Sequence, residues 1–171
     1  MELAFSPSES KESVFKRVQN YLDQLQLNVV ANDMERPWGG FFVIDENQAG
    51  IFAQHFFPGL ELNSLKMGGK LSPKILMVQP HKRLSWQYHH RRAEIWKLVA
   101  GEAGVHTSET DVQGPLQTLQ QNEIIRLRQG QRHRLIGLNN WGMVSEIWQH
   151  TDASQPSDES DIVRLQDDFG R

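Results

Sequence analysis

The chain is organised around one stretch, Gln87-Tyr88-His89-His90-Arg91-Arg92-Ala93-Glu94, which contains the pattern Q-x-H-x4-E. Successive side chains of a β-strand point to opposite faces, so Gln87 and His89 face the same way. Glu94 has the wrong parity for one straight strand, and a bend at Arg91-Arg92 would return it on the next strand to the same interior. Three ligands of these types suit a divalent metal such as Zn²⁺, Mn²⁺ or Fe²⁺.

A fourth potential ligand, His133, stands about forty residues later in Gly130-Gln131-Arg132-His133. Gly130 would allow a tight turn immediately before a strand that begins with His133. Gln and His are also common on half-buried strands that bind no metal, and Gln is a poorer ligand than His or a carboxylate. Spacing alone therefore leaves a metal site and a structural arrangement open, and the strand-rich remainder of the chain favours the metal site.

Composition indicates one main core and excludes several classes of function. Of 171 residues 38% are hydrophobic, including eight Phe and five Trp, which is enough for a core. The net charge of −3 gives no electrostatic reason to expect a nucleic-acid partner. No apolar run reaches transmembrane length, the N-terminus is too polar for a signal peptide, and the absence of Cys excludes disulfides and thiol metal sites. We therefore expect a cytoplasmic protein with no membrane partner.

The N-terminal part is predicted to begin with a helix. Ser8 or Ser10 would cap a helix over residues 11–25, in which apolar residues recur at helical spacing. We expect residues 1–30 to form a helical extension and residues 31–171 to form the main domain. The apolar stripe of the helix would pack on the outside of that domain or against a second subunit.

The rest of the chain is predicted to be rich in strands. A short helix is expected over 46–57 and a loop over 58–72, with turns at Gly101 and Asn139-Asn140 and a docked tail over 161–171. The predicted strands are 41–44, 74–79, 83–89, 94–99, 104–107, 116–119, 123–127, 133–138 and 143–149. Strands this short and regular predict an all-β fold, either a double-sheet roll or a barrel.

Four separated segments resemble the cupin domain of type II mannose-6-phosphate isomerases, which is often the C-terminal part of bifunctional enzymes that also make GDP-mannose. The segments are Arg36-Pro37-Trp38-Gly39, Arg83–Trp96, Gly130–Leu135 and Asp161–Arg171, and they match in the right order. The resemblance covers about residues 35–171. It implies a cupin double-stranded β-helix, or jelly roll, with an N-terminal helix and a short helical insertion.

The resemblance also implies a set of metal ligands. Cupins bind a metal through H-x-H, a Glu and a later His, and in this isomerase group Gln replaces the first His. Carried over residue by residue, the ligands would be Gln87, His89, Glu94 and His133. They would hold one divalent ion, with Zn²⁺ the first expectation and Mn, Fe, Co or Ni as alternatives. His90 would point to the other face of its strand.

Membership of this group implies an aldose–ketose isomerase acting on a small sugar phosphate. It would convert mannose 6-phosphate to fructose 6-phosphate through an enediol(ate), in carbohydrate and polysaccharide precursor metabolism. Proton transfer between C1 and C2 needs a general base, and the sequence does not single one out. The candidates are Glu94, His90 and Lys97. Phosphate binding favours Arg, whose planar fork matches phosphate oxygens. The candidates for it are Arg92, Arg164 and Arg171.

Two other functions stay open on the sequence. GDP-mannose synthesis is not expected, because the nucleotidyltransferase part of the bifunctional enzymes is absent. This absence favours a non-catalytic sugar- or metal-binding cupin with a regulatory role. A Gln, His, Glu, His site also holds Fe²⁺, which leaves an oxygen-using cupin. The family often has His where Arg91 and Ile95 stand and Pro where Arg128 stands, which bears on substrate or activity. A homodimer is expected in which outer strands and N-terminal segments pair.

Overall fold

The protein is a roll of antiparallel strands with helices packed on one side. The structure, a computed structural model, describes residues 3–121 and 123–171. Its strands are β1 (Val29–Asp33), β2 (Gly39–Ile44), β3 (Lys74–Val78), β4 (Trp86–Tyr88), β5 (Arg92–Ser108), β6 (Leu116–Thr118), β7 (Ile124–Leu127), β8 (Arg132–His150) and β9 (Val163–Gln166). Its helices are α1 (Lys11–Gln24), α2 (Ala49–Phe56) and the four-residue α3 (Leu62–Leu65), with a 3₁₀ turn at Glu46–Gln48 before α2. The predicted all-β class is confirmed.

Two long strands form the frame of the roll. β5 has 17 residues and β8 has 19, and the two pair antiparallel along most of their length. β8 also pairs with β3 and β4, which gives the order β1-β2-β3-β8-β4-β9, while β6 and β7 pair with β5. The register shifts between Leu98 and Ala100 and again between Gly101 and Ala103. Such β-bulges bend a strand without ending it, so one strand pair continues through the roll.

Alternation along the strands separates two apolar clusters. On β3, Ile75 and Met77 belong to the cluster that also contains the apolar faces of α1 and α2. Leu76 and Val78, on the opposite face of β3, belong to the cluster inside the roll. β3 is therefore buried on both faces, which explains its continuous apolar sequence.

The helix α1 packs on the outer face of this chain's own sheet. Its N-cap is Ser10, whose Oγ accepts a 3.2 Å hydrogen bond from a backbone N–H of the first turn. The ring of Phe15 lies 5.1 Å from that of Phe42 on β2, measured between centroids. The predicted helix over 11–25 is confirmed. The predicted division between residues 30 and 31 falls within β1.

The predicted turns at Gly101 and Asn139-Asn140 were wrong, because both lie within continuous strands. Gly101 has φ of +74°, and a Cβ there would lie 1.7 Å from the carbonyl oxygen of Trp141. The glycine therefore serves a bulge in β5, where no other residue fits. Asn140 lies within β8, and its side-chain amide donates a 2.9 Å hydrogen bond to the carbonyl oxygen of Phe5 in the N-terminal segment.

Strand limits were also mispredicted at the edges of the sheet. β1 and β9 were not predicted as strands, since they lie at the two ends of the strand order and their side chains are mostly exposed. An edge strand of this kind lacks the alternation that marks a half-buried one. β4 is three residues long instead of spanning 83–89, and the predicted loop over 58–72 contains α3. No helix in the described part of the chain is long and apolar enough to cross a membrane.

Candidate metal centre

Three elements bring the potential ligands together inside one end of the roll. Gln87 on β4 pairs with His133 at the start of β8. The chain then bends at His90 and Arg91, and Glu94 follows on β5, where it pairs with β8 as well. The bend lies one residue earlier than the predicted Arg91-Arg92 bend, because Arg92 already belongs to β5. As predicted, the bend returns Glu94 to the interior.

The ligand atoms of His89, Glu94 and His133 lie within 4.8 Å of one another, and each residue is about 2% exposed. His89 Nε2 is 3.1 Å from Glu94 Oε1, and His133 Nε2 is 3.3 Å from Glu94 Oε2. The two imidazole rings have centroids 5.1 Å apart. The expected convergence of these three side chains is therefore observed.

Backbone carbonyls fix the tautomer of both histidines. His89 Nδ1 lies 2.6 Å from the carbonyl oxygen of Asp161, and His133 Nδ1 lies 3.0 Å from that of Gln131. A carbonyl oxygen only accepts, so each Nδ1 donates, and each Nε2 in the neutral ring presents a lone pair to the centre. His133 Nε2 is buried without a hydrogen-bond partner among the described residues. This is the arrangement in which histidines bind metals.

The charge state of the three groups also suits a cation. Burial alone would raise the pKa of Glu94, but the neighbouring His89, Arg92 and His133 hold it well below the usual range, so the group is ionised. Burial lowers the pKa of His89 in spite of the adjacent Glu94 carboxylate, which favours the neutral ring that a metal needs. Two lone pairs facing a carboxylate in a buried site are stabilised by a divalent cation, and this donor set fits one.

Gln87 lies beside this group. Its Nε2 is 3.4 Å from His89 Nε2, and its Oε1 accepts a 2.6 Å hydrogen bond from Ser85 Oγ. A half-turn of the amide exchanges the two atoms, because the hydroxyl of Ser85 accepts as well as donates. Gln87 can thus present its oxygen to a metal without losing the contact with Ser85.

Arg92 is bound into the same cluster. Its Nε donates to Glu94 Oε1 at 2.8 Å, its Nη2 lies 3.2 Å from His89 Nε2, and its Nη1 donates to Ser157 Oγ at 2.9 Å. The guanidinium also lies 3.6 Å from the ring centroid of Trp148. Arg92 therefore balances the charge of Glu94 and holds its position, and its donors face protein groups.

A pocket opens over Glu94 and Gln87 and is lined by several cations. The predicted Arg164 and Arg171 line it, as does Arg36, which was not among the predicted site residues. Burial, together with the positive charge of Arg171, lowers the pKa of Arg164, as expected where cations cluster. Arg36 belongs to the Arg-Pro-Trp-Gly motif of the resemblance, and that was the one signal that could have identified it.

The structure does not bring His90 and Lys97 into this pocket. His90 is exposed, with its ring against that of Tyr88. Lys97 lies on the face of β5 opposite Glu94 and lines a different depression together with Tyr21 and His55. Odd spacing from Glu94 along one strand accounts for the position of Lys97.

A second buried carboxyl, Glu146, lines the pocket and was not predicted. It is 4% exposed and accepts a 3.3 Å hydrogen bond from Trp96 Nε1. Burial and the negative charge of Glu94 raise the pKa of Glu146 to about 8. The signal was present in the sequence, because Glu146 alternates with Met143, Ser145 and Ile147 in the predicted strand 143–149, which lies within β8.

Comparison with known proteins agrees with this architecture. A family model described as "Mannose-6-phosphate isomerase C-terminal" matches residues 47–167. The chain belongs to this family. The predicted membership is confirmed, and the match begins at the 3₁₀ turn before α2 and ends just after β9.

Curated relatives of this family member are considerably longer. The mannose-1-phosphate guanylyltransferase of Escherichia coli (strain K12) is 28% identical over 142 residues, which are 83% of this chain and 24% of that protein. The xanthan biosynthesis protein XanB of Xanthomonas campestris pv. campestris (strain ATCC 33913) is 33% identical over 136 residues, 80% of this chain and 23% of that protein. The chain thus spans about a quarter of the length of these relatives.

Solved structures share the fold. The capsular polysaccharide assembling protein CapF from Staphylococcus aureus superposes with a TM-score of 0.52 at 13% identity, over 82% of this chain and 34% of that one. Oxalate decarboxylase from Bacillus subtilis gives a TM-score of 0.54 at 14% identity, over 79% of this chain and 30% of that one. At these identities the likeness concerns the fold alone, and it confirms the predicted cupin jelly roll.

Proposed function

We propose that this chain is a metal-dependent aldose–ketose isomerase that interconverts mannose 6-phosphate and fructose 6-phosphate for polysaccharide precursor synthesis. The observation that carries the proposal is the convergence of His89, Glu94 and His133, of which Glu94 also lines a pocket that several arginines line. Family membership supports the same reaction, and relatives named for xanthan and alginate biosynthesis support the metabolic setting.

The metal would be held by Gln87, His89, Glu94 and His133, and Zn²⁺ is the ion that two imidazoles and a carboxylate favour first. When bound, a divalent ion supplies Lewis-acid polarisation of the sugar carbonyl oxygen. The chain's own residues set this up: two carbonyl oxygens orient the imidazoles, and Arg92 orients the carboxylate.

The phosphate would be bound by Arg164 and Arg171, with Arg36 beside them. Arg171 is paired with Asp167 at 2.9 Å, and Arg36 with Asp33 at 2.8 Å, so both guanidinium groups are held in place near the pocket. Arg171 uses Nε and Nη2 to bind Asp167, which leaves its Nη1 for a phosphate oxygen. Arg92, the other phosphate candidate, has its donors directed to Glu94 and Ser157, so we assign it to positioning the Glu94 carboxylate instead.

The test is a coupled isomerase assay on protein stripped of metal and then reloaded with Zn²⁺, Mn²⁺ or Co²⁺. We expect turnover of mannose 6-phosphate only after reloading, and its loss in the Gln87→Ala variant. Gln129→Ala is the matched control, because Gln129 is an exposed glutamine outside the pocket. Absence of turnover with every metal and every sugar phosphate would contradict the proposal.

A non-catalytic sugar- or metal-binding role is the second candidate. The observation that favours it is that the chain spans about a quarter of its relatives' length, so the names of those relatives do not by themselves assign catalysis to this part. Titration calorimetry separates the two functions. Binding of metal and sugar phosphate without any turnover would identify a binding protein.

We also infer that two copies of the chain associate. β1 lies at one end of the sheet and pairs only with β2 among the described strands, and Val30 on it is 60% exposed. An edge strand with an exposed apolar side chain can pair with a second copy. Light scattering should give a dimer for the unmodified chain and a monomer for Val30→Lys. A monomeric unmodified chain would contradict the inference.

A further inference from the structure

The pocket contains a carboxyl group that the metal centre does not use. Glu146 lies on β8 opposite Trp96 of β5, and Trp148, two residues further, lies opposite Glu94. Glu146 and Glu94 are therefore diagonal neighbours on the same inner face of the sheet. Such neighbours are roughly 7–8 Å apart. This register places Glu146 beside the ligand set, and both glutamates line the same pocket.

Glu146 forms no ion pair with the lysine that lies opposite it in the sheet. Its partner on β3 is Lys74, which also points into the roll. The Lys74 ammonium forms its ion pair with Glu159 and lies 3.8 Å from the ring centroid of Trp148. Among the described residues, the Glu146 carboxyl accepts one side-chain hydrogen bond, the one from Trp96.

A structural role does not explain this residue. A buried carboxyl without an ion pair is destabilising, and an apolar or amide side chain of similar size would suit the position better. Burial and the charge of Glu94 raise the pKa of Glu146 to about 8. A cation bound at Glu94 would offset that negative charge and bring the pKa down towards neutrality, where a carboxyl both accepts and donates protons.

The other acidic group of the pocket is less suitable. The side chain of Glu159 is 60% exposed and is paired with Lys74. Glu94 is committed to two histidines and Arg92. Of the pocket carboxyls in the described residues, Glu146 is thus the one that is buried, free of an ion pair and adjacent to the ligand set.

We propose that Glu146 is the catalytic residue that carries the proton between C2 and C1 of the open-chain sugar phosphate. This inference rests on the proposed isomerase function and identifies the base that the sequence did not. Ionised Glu146 takes the C2 proton of the aldose, the C2–H electrons form the C1–C2 double bond, and the carbonyl electrons pass to O1. Protonated Glu146 then returns the proton to C1, while O2 becomes the carbonyl oxygen and its proton passes to O1.

The first experiment compares Glu146→Gln with Glu61→Gln, the same substitution at an exposed glutamate outside the pocket. Both are loaded with Zn²⁺ and assayed for isomerisation and, by NMR in D₂O, for deuterium incorporation at C1 and C2. For Glu146→Gln we expect kcat to fall about 10²–10⁴-fold, the range for loss of a general base. Metal content by elemental analysis and KM should stay within about threefold of the unmodified enzyme, and Glu61→Gln should keep most of its kcat.

The outcomes distinguish this inference from the proposed function. An active parent enzyme with an equally active Glu146→Gln variant would overturn the role of Glu146 and leave the isomerase function standing. A parent enzyme inactive on every sugar phosphate would overturn the function itself, and with it the role.

A second measurement does not depend on how the variant folds. In zinc-loaded protein with ¹³C-labelled Glu carboxyls, the Glu146 signal should titrate between about pH 6 and 8, as a group matched to neutral operation does. The Glu146→Asp variant should retain part of the activity, because it keeps a carboxyl at a shorter reach. A Glu146 carboxyl that stays fully ionised down to pH 5 would overturn the proposal.

Discussion

Glu146 and Ile147 are adjacent on β8 and face opposite sides of the same sheet. Ile147 packs in the apolar cluster under α1 and α2, whereas Glu146 faces the polar end of the roll's interior. β3 shows the same division between Ile75, in the outer cluster, and Lys74, which lines the pocket. Alternation along these strands therefore places packing residues on the outer face and site residues on the inner face, so substitutions on the two faces should have separable effects.

The largest effect should come from substitution of a proposed metal ligand inside the roll. His133→Ala removes one Nε2 donor, and we expect loss of bound metal and a fall in isomerase activity of at least about a thousandfold, since metal polarisation is worth several kcal/mol. Elemental analysis and the coupled assay measure both. His90→Ala is the matched control, because His90 is exposed and outside the pocket. Equal metal content in the two variants would break the comparison.

Substitution of a residue in the outer apolar cluster should lower stability and leave metal binding and activity unchanged. Ile147 is fully buried, and Ile147→Ala should lower the free energy of unfolding by about 2–5 kcal/mol through cavity formation. The thermal midpoint should fall by roughly 5–15 °C. Metal content and kcat measured well below that midpoint should stay unchanged. Loss of metal from fully folded Ile147→Ala would show that the two faces are coupled.

The pH dependence of stability should report Glu146. Because burial and the charge of Glu94 raise its pKa from 4.5 to about 8, the folded protein binds more protons than the unfolded chain between these values. Stability of the metal-free protein should therefore fall as pH rises through this window, by an amount on the order of a few kcal/mol.

Glu146→Gln removes the titrating group and should flatten that profile. Denaturant unfolding at about pH 5 and pH 8, in the presence of a chelator, measures the difference. Glu61→Gln should keep the slope of the unmodified protein. A Glu146→Gln variant with the same slope would show that another group titrates in this window.

A smaller effect is expected at Asp161, which holds the turn that carries His89. Its carboxylate accepts hydrogen bonds from the backbone N–H groups of His90 and Arg91 at 2.9 and 3.0 Å. Asp161→Ala should weaken metal binding by about 10–100-fold, the range for residues that orient a ligand. Competition with a chelator of known affinity measures it. Asp152→Ala serves as control, and equal affinity in both variants would exclude a role for Asp161 in placing His89.

Much of the architecture could be predicted from the sequence because it follows from local patterns. Apolar spacing predicted α1, and turn residues separated the strands around it. The Q-x-H-x4-E pattern, with the resemblance, indicated which side chains would converge, and three of them meet within 4.8 Å. The strands β1 and β9 were missed because edge strands lack a half-buried alternation. β5 and β8 were each predicted as two strands, because Gly101 and Asn139-Asn140 are residue types that favour turns as well as irregularities within a strand.

Residue types and short spacings were enough to predict the fold class, the family and the convergent histidines and carboxylate. Only the tertiary structure decided that Arg92 belongs to the ligand cluster, that Arg36 lines the pocket and that Lys97 lies on the far face of β5. It also decided that Glu146 stays buried without an ion pair. The physical reason is that the burial and charge partners of these residues come from strands distant in the chain, and a pKa depends on those neighbours instead of on local sequence.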